Sequence, residues 1–124
     1  MQYMLHGDHY EPVYDDGALM LRPIQLALLQ GLLDRPGAIA PSRADLSQAA
    51  HPQAFRHYGR SPSTSCLENA IRRVIVCGWV ARVRRGRKVA YALTPRGHEI
   101  VSGDVAVRLH GRGPWAPRSR RAAA

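Results

Sequence analysis

The fold is decided by residues 63–97, which read STSCLENAIRRVIVCGWVARVRRGRKVAYALTPRG. In the first part of this stretch the apolar residues recur every three or four positions, as they do on one face of a helix. Those residues are Leu67, Ile71, Val74 and Ile75. Ser65 and Glu68 have the spacing of a capping box, and Gly78 is the residue type that ends a helix in a left-handed turn. We therefore predict a helix over residues 63–77.

After this helix the hydrophobic pattern changes to alternation, which is typical of strands. Alternation predicts two strands, over residues 79–83 and 89–93. Between them, residues 84–88 form a turn that carries four cations around one glycine. Thr94 and Pro95 then have the pattern of an N-cap followed by proline at the first helical position, which predicts a last short helix.

Two further helices are predicted upstream. Residues 22–35 carry a broad apolar stripe at helical spacing. Residues 42–50 form a shorter helix that begins at Ser42, a plausible N-cap, and stops before Pro52. Residues 51–62 are interpreted as a connector with room for one helical turn.

The chain divides into three parts by composition. Residues 1–21 are an acidic arm with four acids and no base, and we assign them no secondary structure. Residues 22–103 hold the periodic segments and form the domain. Residues 104–124 are interpreted as a basic, flexible tail, although the alternation at 105–109 also fits a strand.

Length and charge narrow the function. A chain of 124 residues with a net charge of +9 is long enough for one domain. Residues 61–124 hold thirteen bases and three acids. This excess favours an anionic partner, most often nucleic acid, with an anionic membrane surface or an acidic protein as alternatives.

The expected compartment is the cytoplasm. No apolar run has the length of a membrane span or the features of a signal peptide, so no membrane partner is expected. The two cysteines do not make a disulfide framework. We predict no catalytic residues and no enzyme, because no nucleophile motif, phosphate-binding loop or carboxylate pair is present. We predict no cofactor and no metal, since His6 and His9 are an isolated pair.

The order of helix, helix, helix, basic hairpin and short helix resembles the winged helix-turn-helix transcriptional regulators of bacteria, especially the MarR/PadR-like branch. The resemblance covers residues 22–102. Residues 70–80 (AIRRVIVCGWV) are similar to a recognition helix that ends in glycine and two apolar residues. Residues 91–97 (YALTPRG) are similar to the tyrosine-x-leucine-threonine-proline-x-glycine motif that closes the wing. One departure is the connector at 51–62, which is longer than the family's turn.

The resemblance implies an α+β winged helix-turn-helix fold with three helices, a two-stranded β-hairpin wing and a short C-terminal helix. It also implies sequence-specific binding of double-stranded DNA by a transcriptional regulator of bacterial or phage origin, with repression favoured over activation. The recognition helix, about residues 63–77, would enter the major groove, and the wing, residues 81–93, would contact the flanking backbone.

The residue types support this function independently. Asn pairs with adenine and Arg with guanine in the major groove, and hydroxyl groups at a helix N-terminus suit a phosphate. The predicted DNA-binding residues are Ser63, Thr64, Ser65, Asn69, Arg72, Arg73, Arg84, Arg85, Arg87 and Lys88.

Two other functions remain open. A winged helix can act as a protein adaptor on RNA polymerase or another DNA-bound complex, and a plasmid or phage replication or partition factor would use the same DNA contacts. A polar exposed face on residues 63–77 favours DNA, whereas an apolar one favours a protein partner.

A homodimer would predict half-sites about 10 bp apart. The acidic arm, residues 1–21, could cover the basic surface, form a dimer or be solvated.

Overall fold

The computed structural model describes residues 2–59 and 61–110, with the side chains of 56–58 left out of the description. Within these residues the chain is α+β, with four α-helices and two small sheets. The helices are α1 (Pro23–Leu33), α2 (Arg43–Tyr58), α3 (Thr64–Val76) and α4 (Pro95–Val101). The strands are β1 (Gln2–His6), β2 (His9–Val13), β3 (Leu19–Leu21), β4 (Ile39–Ala40), β5 (Val80–Arg85), β6 (Lys88–Leu93) and β7 (Val107–Leu109). The predicted order of three helices, a hairpin and a short helix is present.

α1 is the central helix of the core. Leu28, Leu29 and Leu32 are completely buried, and the helix packs against α2, α3 and α4. The closest approach is at Gly31, where a β-carbon would overlap the backbone carbonyl of Ala49 in α2. A helix that is apolar on nearly every side is expected at this place, since all of its faces meet other elements.

α2 is longer than predicted, and its predicted end was wrong. Ser42 is the N-cap, as predicted, and its hydroxyl accepts a hydrogen bond from the Asp45 amide. The helix continues through Pro52 to Tyr58 and ends at Gly59. Pro52 is exposed, so its ring is accommodated on the solvent side. Most of the predicted connector is therefore helix.

α3 confirms the predicted helix but not its predicted cap. Ser63, not Ser65, is the N-cap, and its hydroxyl accepts a hydrogen bond from the Cys66 amide. Glu68 pairs with Arg43 of α2 instead of reaching back to a cap. The buried residues are Leu67, Ala70, Ile71 and Val74, at the expected helical spacing.

The predicted hairpin is present and belongs to a three-stranded sheet. β5 and β6 pair from Val80↔Leu93 to Arg85↔Lys88, and Gly86 and Arg87 form the two-residue turn. β4 adds to the other side of β6, so the strand order is β4-β6-β5. The last helix, α4, begins at the predicted N-cap Thr94, whose hydroxyl accepts from the Gly97 amide.

Residues 2–21, interpreted as an arm without assigned structure, contain three strands. The alternative of a strand at 105–109 is confirmed by β7, so the interpretation as a flexible tail was wrong for these residues. β1, β2 and β3 join β7 in a second sheet with the order β1-β2-β3-β7, in which β3 and β7 are parallel. The residues of β3 are buried, and Leu19 and Leu21 belong to the common hydrophobic core, which holds this sheet on the domain. The rest of the predicted tail, residues 111–124, lies outside the described residues.

Candidate nucleic-acid interface

The solvent side of α3 is a stripe of mostly polar residues, which we name the α3 stripe. At 3.6 residues per turn its members lie within about 100° of one another and opposite the buried residues. The α3 stripe consists of Ser65, Asn69, Arg72, Arg73 and Val76, all of them exposed. Val76 is the apolar exception, at 61% exposure. The stripe brings the predicted base-contacting side chains, Asn69, Arg72 and Arg73, onto one face.

The N-terminus of α3 is open to an anion. Ser63 caps the helix, while Thr64 and Ser65 are exposed in its first turn. No acidic residue stands in that turn. The positive end of the helix dipole is therefore not offset by a neighbouring carboxylate of the first turn, which suits a phosphate ligand.

The other four predicted residues lie at the tip of the β5–β6 hairpin, and we name them the hairpin tip: Arg84, Arg85, Arg87 and Lys88. All four are exposed. Because successive side chains of a strand point to opposite faces, Arg84 lies on one face of the hairpin and Arg85 on the other. Lys88 is the cross-strand partner of Arg85. Both faces of the tip are therefore cationic.

The cations of these two groups form no ion pair among the described residues, although the charge of Arg72 helps to lower the pKa of Glu68. In residues 2–59 and 61–110, the ion pairs use Arg43, Arg96 and Arg108 as their cations. None of them uses Arg72, Arg73 or a residue of the hairpin tip. Six positive charges are thus left to solvent, and such charges favour an external anion.

Glu68 is the acid closest to this surface, and Arg43 neutralises it. The Arg43 Nη2 atom lies 2.6 Å from Glu68 Oε2, and both side chains are partly exposed. Hydrogen bonding and the charge of Arg43 hold the pKa of Glu68 below its ordinary value. Glu68 is therefore ionised at neutral pH, and the pair carries no net charge.

Sequence reasoning missed two residues beside the α3 stripe. Arg22 and Gln25, at the N-terminal end of α1, line a groove of about 550 Å³ together with Asn69, Arg72 and Arg73. Arg22 was interpreted only as the start of the helix over residues 22–35. Nothing in its local sequence indicates that this helix begins next to α3. Tertiary packing adds a third exposed arginine to the same face.

The β1–β2 hairpin contacts the C-terminal end of α3. The His9 Nδ1 atom donates a hydrogen bond to the Val76 carbonyl oxygen, at 3.1 Å. The His9 ring also lies where a β-carbon of Gly78 would be, and Gly78 has φ of +78°. Two reasons therefore favour glycine at position 78: its positive φ, and the His9 ring in the place of a β-carbon.

The acids of the predicted arm do not cover the basic residues. Glu11 is buried and paired with Arg96, and Asp16 pairs with Arg108. Within the described ranges, no arm carboxylate forms an ion pair with the α3 stripe or the hairpin tip. The arrangement gives no support to the hypothesis that the arm covers this surface.

The part of the chain that the structure describes has no group of three or more His, Cys, Asp or Glu side chains that could hold a metal ion. It also has no helix of the length and apolarity needed to cross a membrane. Comparison with protein-family models, curated protein sequences and solved structures finds no match to this chain.

Proposed function

We propose that this chain is a winged helix-turn-helix protein that binds double-stranded DNA and regulates transcription in the bacterial or phage cytoplasm, without enzymatic activity. The observation that carries the proposal is the exposed set of cations on α3 and on the hairpin that follows it, none of which forms an ion pair among the described residues. An α-helix fits the major groove of B-DNA, and Asn69, Arg72 and Arg73 are the residue types that read base edges.

In the proposed complex, α3 provides base contacts and the hairpin tip provides phosphate or minor-groove contacts. Thr64 and Ser65, together with the N-terminus of α3, bind a backbone phosphate. Arg22 adds a cation beside the α3 stripe. Repression is favoured over activation, because a small DNA-binding domain can occlude a promoter without recruiting another protein.

The polarity of α3 supports DNA over a protein partner. Its exposed residues are Thr64, Ser65, Asn69, Arg72, Arg73 and Val76. Five of these six are polar or charged, so α3 offers no broad apolar patch. Val76, at 61% exposure, is the specific observation that favours the second candidate, an adaptor for RNA polymerase or another DNA-bound protein.

The test is binding to random-sequence duplex DNA over a series of salt concentrations. Wild type is compared with Arg72→Ala/Arg73→Ala and with Arg84→Ala/Arg87→Ala. Each lost phosphate contact lowers the log–log salt slope by about one, whereas a lost base contact lowers discrimination between sequences by about 1–3 kcal/mol. Selection of bound sequences then reports base reading at Asn69 and the two α3 arginines.

A charge-matched control separates these contacts from net charge. Arg108→Ala also removes one positive charge, but from β7, where Arg108 pairs with Asp16. We expect Arg72→Ala to weaken binding more than Arg108→Ala does. Equal effects, or binding that is indifferent to both double variants, would refute the proposal and favour a protein partner.

A further inference from the structure

β1 is an exposed edge strand without the features that usually protect an edge. It pairs with β2 on one side, and all five of its residues are exposed. Natural sheets protect such edges with lysines, prolines, inward charges or bulges. Residues 2–6 (QYMLH) include no Lys, Arg, Asp, Glu or Pro, and their register with β2 runs without interruption. Among the residues that the structure describes, no strand pairs with the outer side of β1, so this edge is open to a further strand.

The backbone groups that face outward can be assigned from the register. Gly7 and Asp8 form a two-residue turn, so the flanking pair His6↔His9 is hydrogen-bonded. Hydrogen-bonded and non-hydrogen-bonded pairs alternate in an antiparallel ladder. The N–H and C=O groups of Tyr3 and Leu5 consequently point away from β2, toward the open edge.

We propose that β1 pairs with β1 of a second copy of this chain and forms a two-fold symmetric dimer. The strands are antiparallel, and the axis passes beside Met4. This register places Tyr3 opposite the partner's Leu5, so that their free N–H and C=O groups bond each other. Met4 lies opposite its own copy in a non-hydrogen-bonded pair. The two four-stranded sheets become one continuous sheet.

The side chains fit a second copy of the same strand. Tyr10 is the register partner of Leu5, so Tyr3, Leu5 and Tyr10 lie on one face of the sheet. Their exposures are 51%, 57% and 60%, and Met4 on the other face is 56% exposed. In the dimer, Tyr3 packs across the strands on the partner's Leu5, a pairing of aromatic and aliphatic side chains that stabilises sheets. No like charges meet in this register.

The exposed area places this dimer among weak, concentration-dependent associations. At roughly 200 Å² for each large side chain, Tyr3, Met4, Leu5 and Tyr10 expose about 450 Å² in one protomer. The two protomers together expose about 900 Å² at these side chains, which is below the ~1,000 Å² that marks the lower end of specific interfaces, and edge-to-edge pairing covers the part that lies along β1. Strand pairing adds main-chain hydrogen bonds, so we expect association at micromolar concentrations.

The proposed axis also sets the distance between the two copies of His9, which contacts α3. With strands about 4.8 Å apart and a rise of about 3.4 Å per residue, His9 lies roughly 10 Å from the axis. His9 bonds the last residue of α3, Val76. The two His9 residues, each in contact with the C-terminal end of one α3, then lie about 20 Å apart across the axis.

Disulfide formation tests the register directly. In Met4→Cys the two new cysteines lie at a pair with Cα atoms about 4.5 Å apart, within the range of a disulfide. Gln2→Cys is the matched control, because each copy then lies opposite the partner's His6 and the two cysteines are about 14 Å apart. We expect Met4→Cys, and not Gln2→Cys, to form a covalent dimer under mild oxidation.

The native thiols give little background in this experiment. Burial raises the pKa of Cys66, and it raises the pKa of Cys77 to about 11, so both are mostly protonated at neutral pH. Wild-type protein oxidised under the same conditions measures the remaining cross-linking through Cys66 and Cys77. Cross-linking of Gln2→Cys to the same extent as Met4→Cys would overturn the proposed register.

Sedimentation equilibrium without DNA tests the association itself. We expect the wild-type mass to rise from monomer to dimer between about 1 and 300 μM. Leu5→Lys places a charge on the exposed edge and should keep the protein monomeric, whereas Phe55→Lys changes a residue of similar exposure on α2 and should not.

The outcomes that would overturn the dimer are a monomeric wild type over this whole range, or loss of the dimer in Phe55→Lys but not in Leu5→Lys. Circular dichroism confirms that each variant is folded. Since no DNA is present, failure of the dimer leaves the proposed DNA binding standing. Conversely, if the protein dimerises as proposed but does not bind DNA, the dimer stands and the proposed function fails.

Discussion

Arg96 holds Glu11 in a bidentate ion pair that joins the two ends of the described chain. Arg96 Nε lies 2.8 Å from Glu11 Oε2, and Arg96 Nη2 lies 2.8 Å from Glu11 Oε1. The indole N–H of Trp79 donates to the same Oε2 atom at 2.6 Å. Glu11 is 2% exposed, so the carboxylate is satisfied by these donors rather than by water.

This ion pair joins the N-terminal sheet to α4. We therefore expect its removal to lower the stability of the protein strongly. In Glu11→Gln the Arg96 charge loses its main partner in a largely buried site. We expect the free energy of unfolding to fall by about 3 kcal/mol, as for other broken buried pairs. Urea unfolding measures the change.

Glu99→Gln is the matched control for this prediction. Glu99 pairs with the same arginine at 3.1 Å, but its side chain is 46% exposed. An exposed pair contributes less than about 1 kcal/mol. If the two variants lost equal stability, the buried geometry of the Glu11 pair would not be the cause.

Glu11 also predicts how stability depends on pH. Burial alone would raise the pKa of Glu11, but the hydrogen bonds from Arg96 and Trp79 and the charge of Arg96 lower it below its ordinary value. A lowered pKa in the folded state contributes stability that is complete above the unfolded pKa of about 4.3. That contribution is lost as pH falls through the folded pKa.

The measurement is the difference in unfolding free energy between wild type and Glu11→Gln, from about pH 6 to about pH 2.5. We expect the difference to be constant at the upper end and to shrink below about pH 4. Other carboxylates with lowered pKa, such as Asp16 and Glu68, are present in both proteins and cancel. A difference that grows on acidification would contradict the assignment.

Glu68 predicts an increase in DNA affinity on mutation, if the proposed function holds. Glu68→Gln removes the negative charge next to the α3 stripe, and the positive charge of Arg43 is then no longer neutralised by a carboxylate. We expect affinity for random duplex DNA to rise about threefold at low salt and less at high salt. Fluorescence anisotropy at two salt concentrations measures the effect.

Glu99→Gln changes the net charge by the same amount at a site on α4, so it is the control for this experiment as well. We expect it to change affinity less than Glu68→Gln does. The same increase in both variants would indicate a general charge effect instead of a local one.

Pro52 predicts a stabilising substitution. Proline inside a helix removes a hydrogen bond and crowds the preceding turn, at a cost of up to about 3 kcal/mol relative to alanine. Pro52 lies within α2 and is exposed, so Pro52→Ala loses little packing. We expect the free energy of unfolding to rise by about 1–3 kcal/mol, measured by thermal or urea unfolding.

Pro95 is the control, because it stands at the first position of α4, where proline suits the helix. Pro95→Ala should not stabilise the protein. A gain of stability in Pro95→Ala equal to that in Pro52→Ala would mean that helix position does not explain the effect.

The sequence by itself determined α3, the β5–β6 hairpin and α4, because each has a local signal. These signals are the helical period of Leu67, Ile71 and Val74, the alternation on both sides of Gly86, and the pair Thr94 and Pro95. Local signals act through neighbouring residues, and here tertiary contacts agree with them. The exposed residues of α3 could be predicted in the same way, because the helical period that buries Leu67, Ile71 and Val74 places the residues between them on the solvent side.

Tertiary structure decided what local patterns could not. The segment 1–21 has short strands separated by Gly7 and Gly17, and its strand β3 pairs with β7, more than eighty residues later in the chain. Pro52 marks a helix end in most contexts, yet packing of α2 on α1 carries the helix past it. Glu68 has the spacing of a cap residue, but Arg43 competes for it from another helix. In each case a contact distant in sequence outweighs a weak local preference.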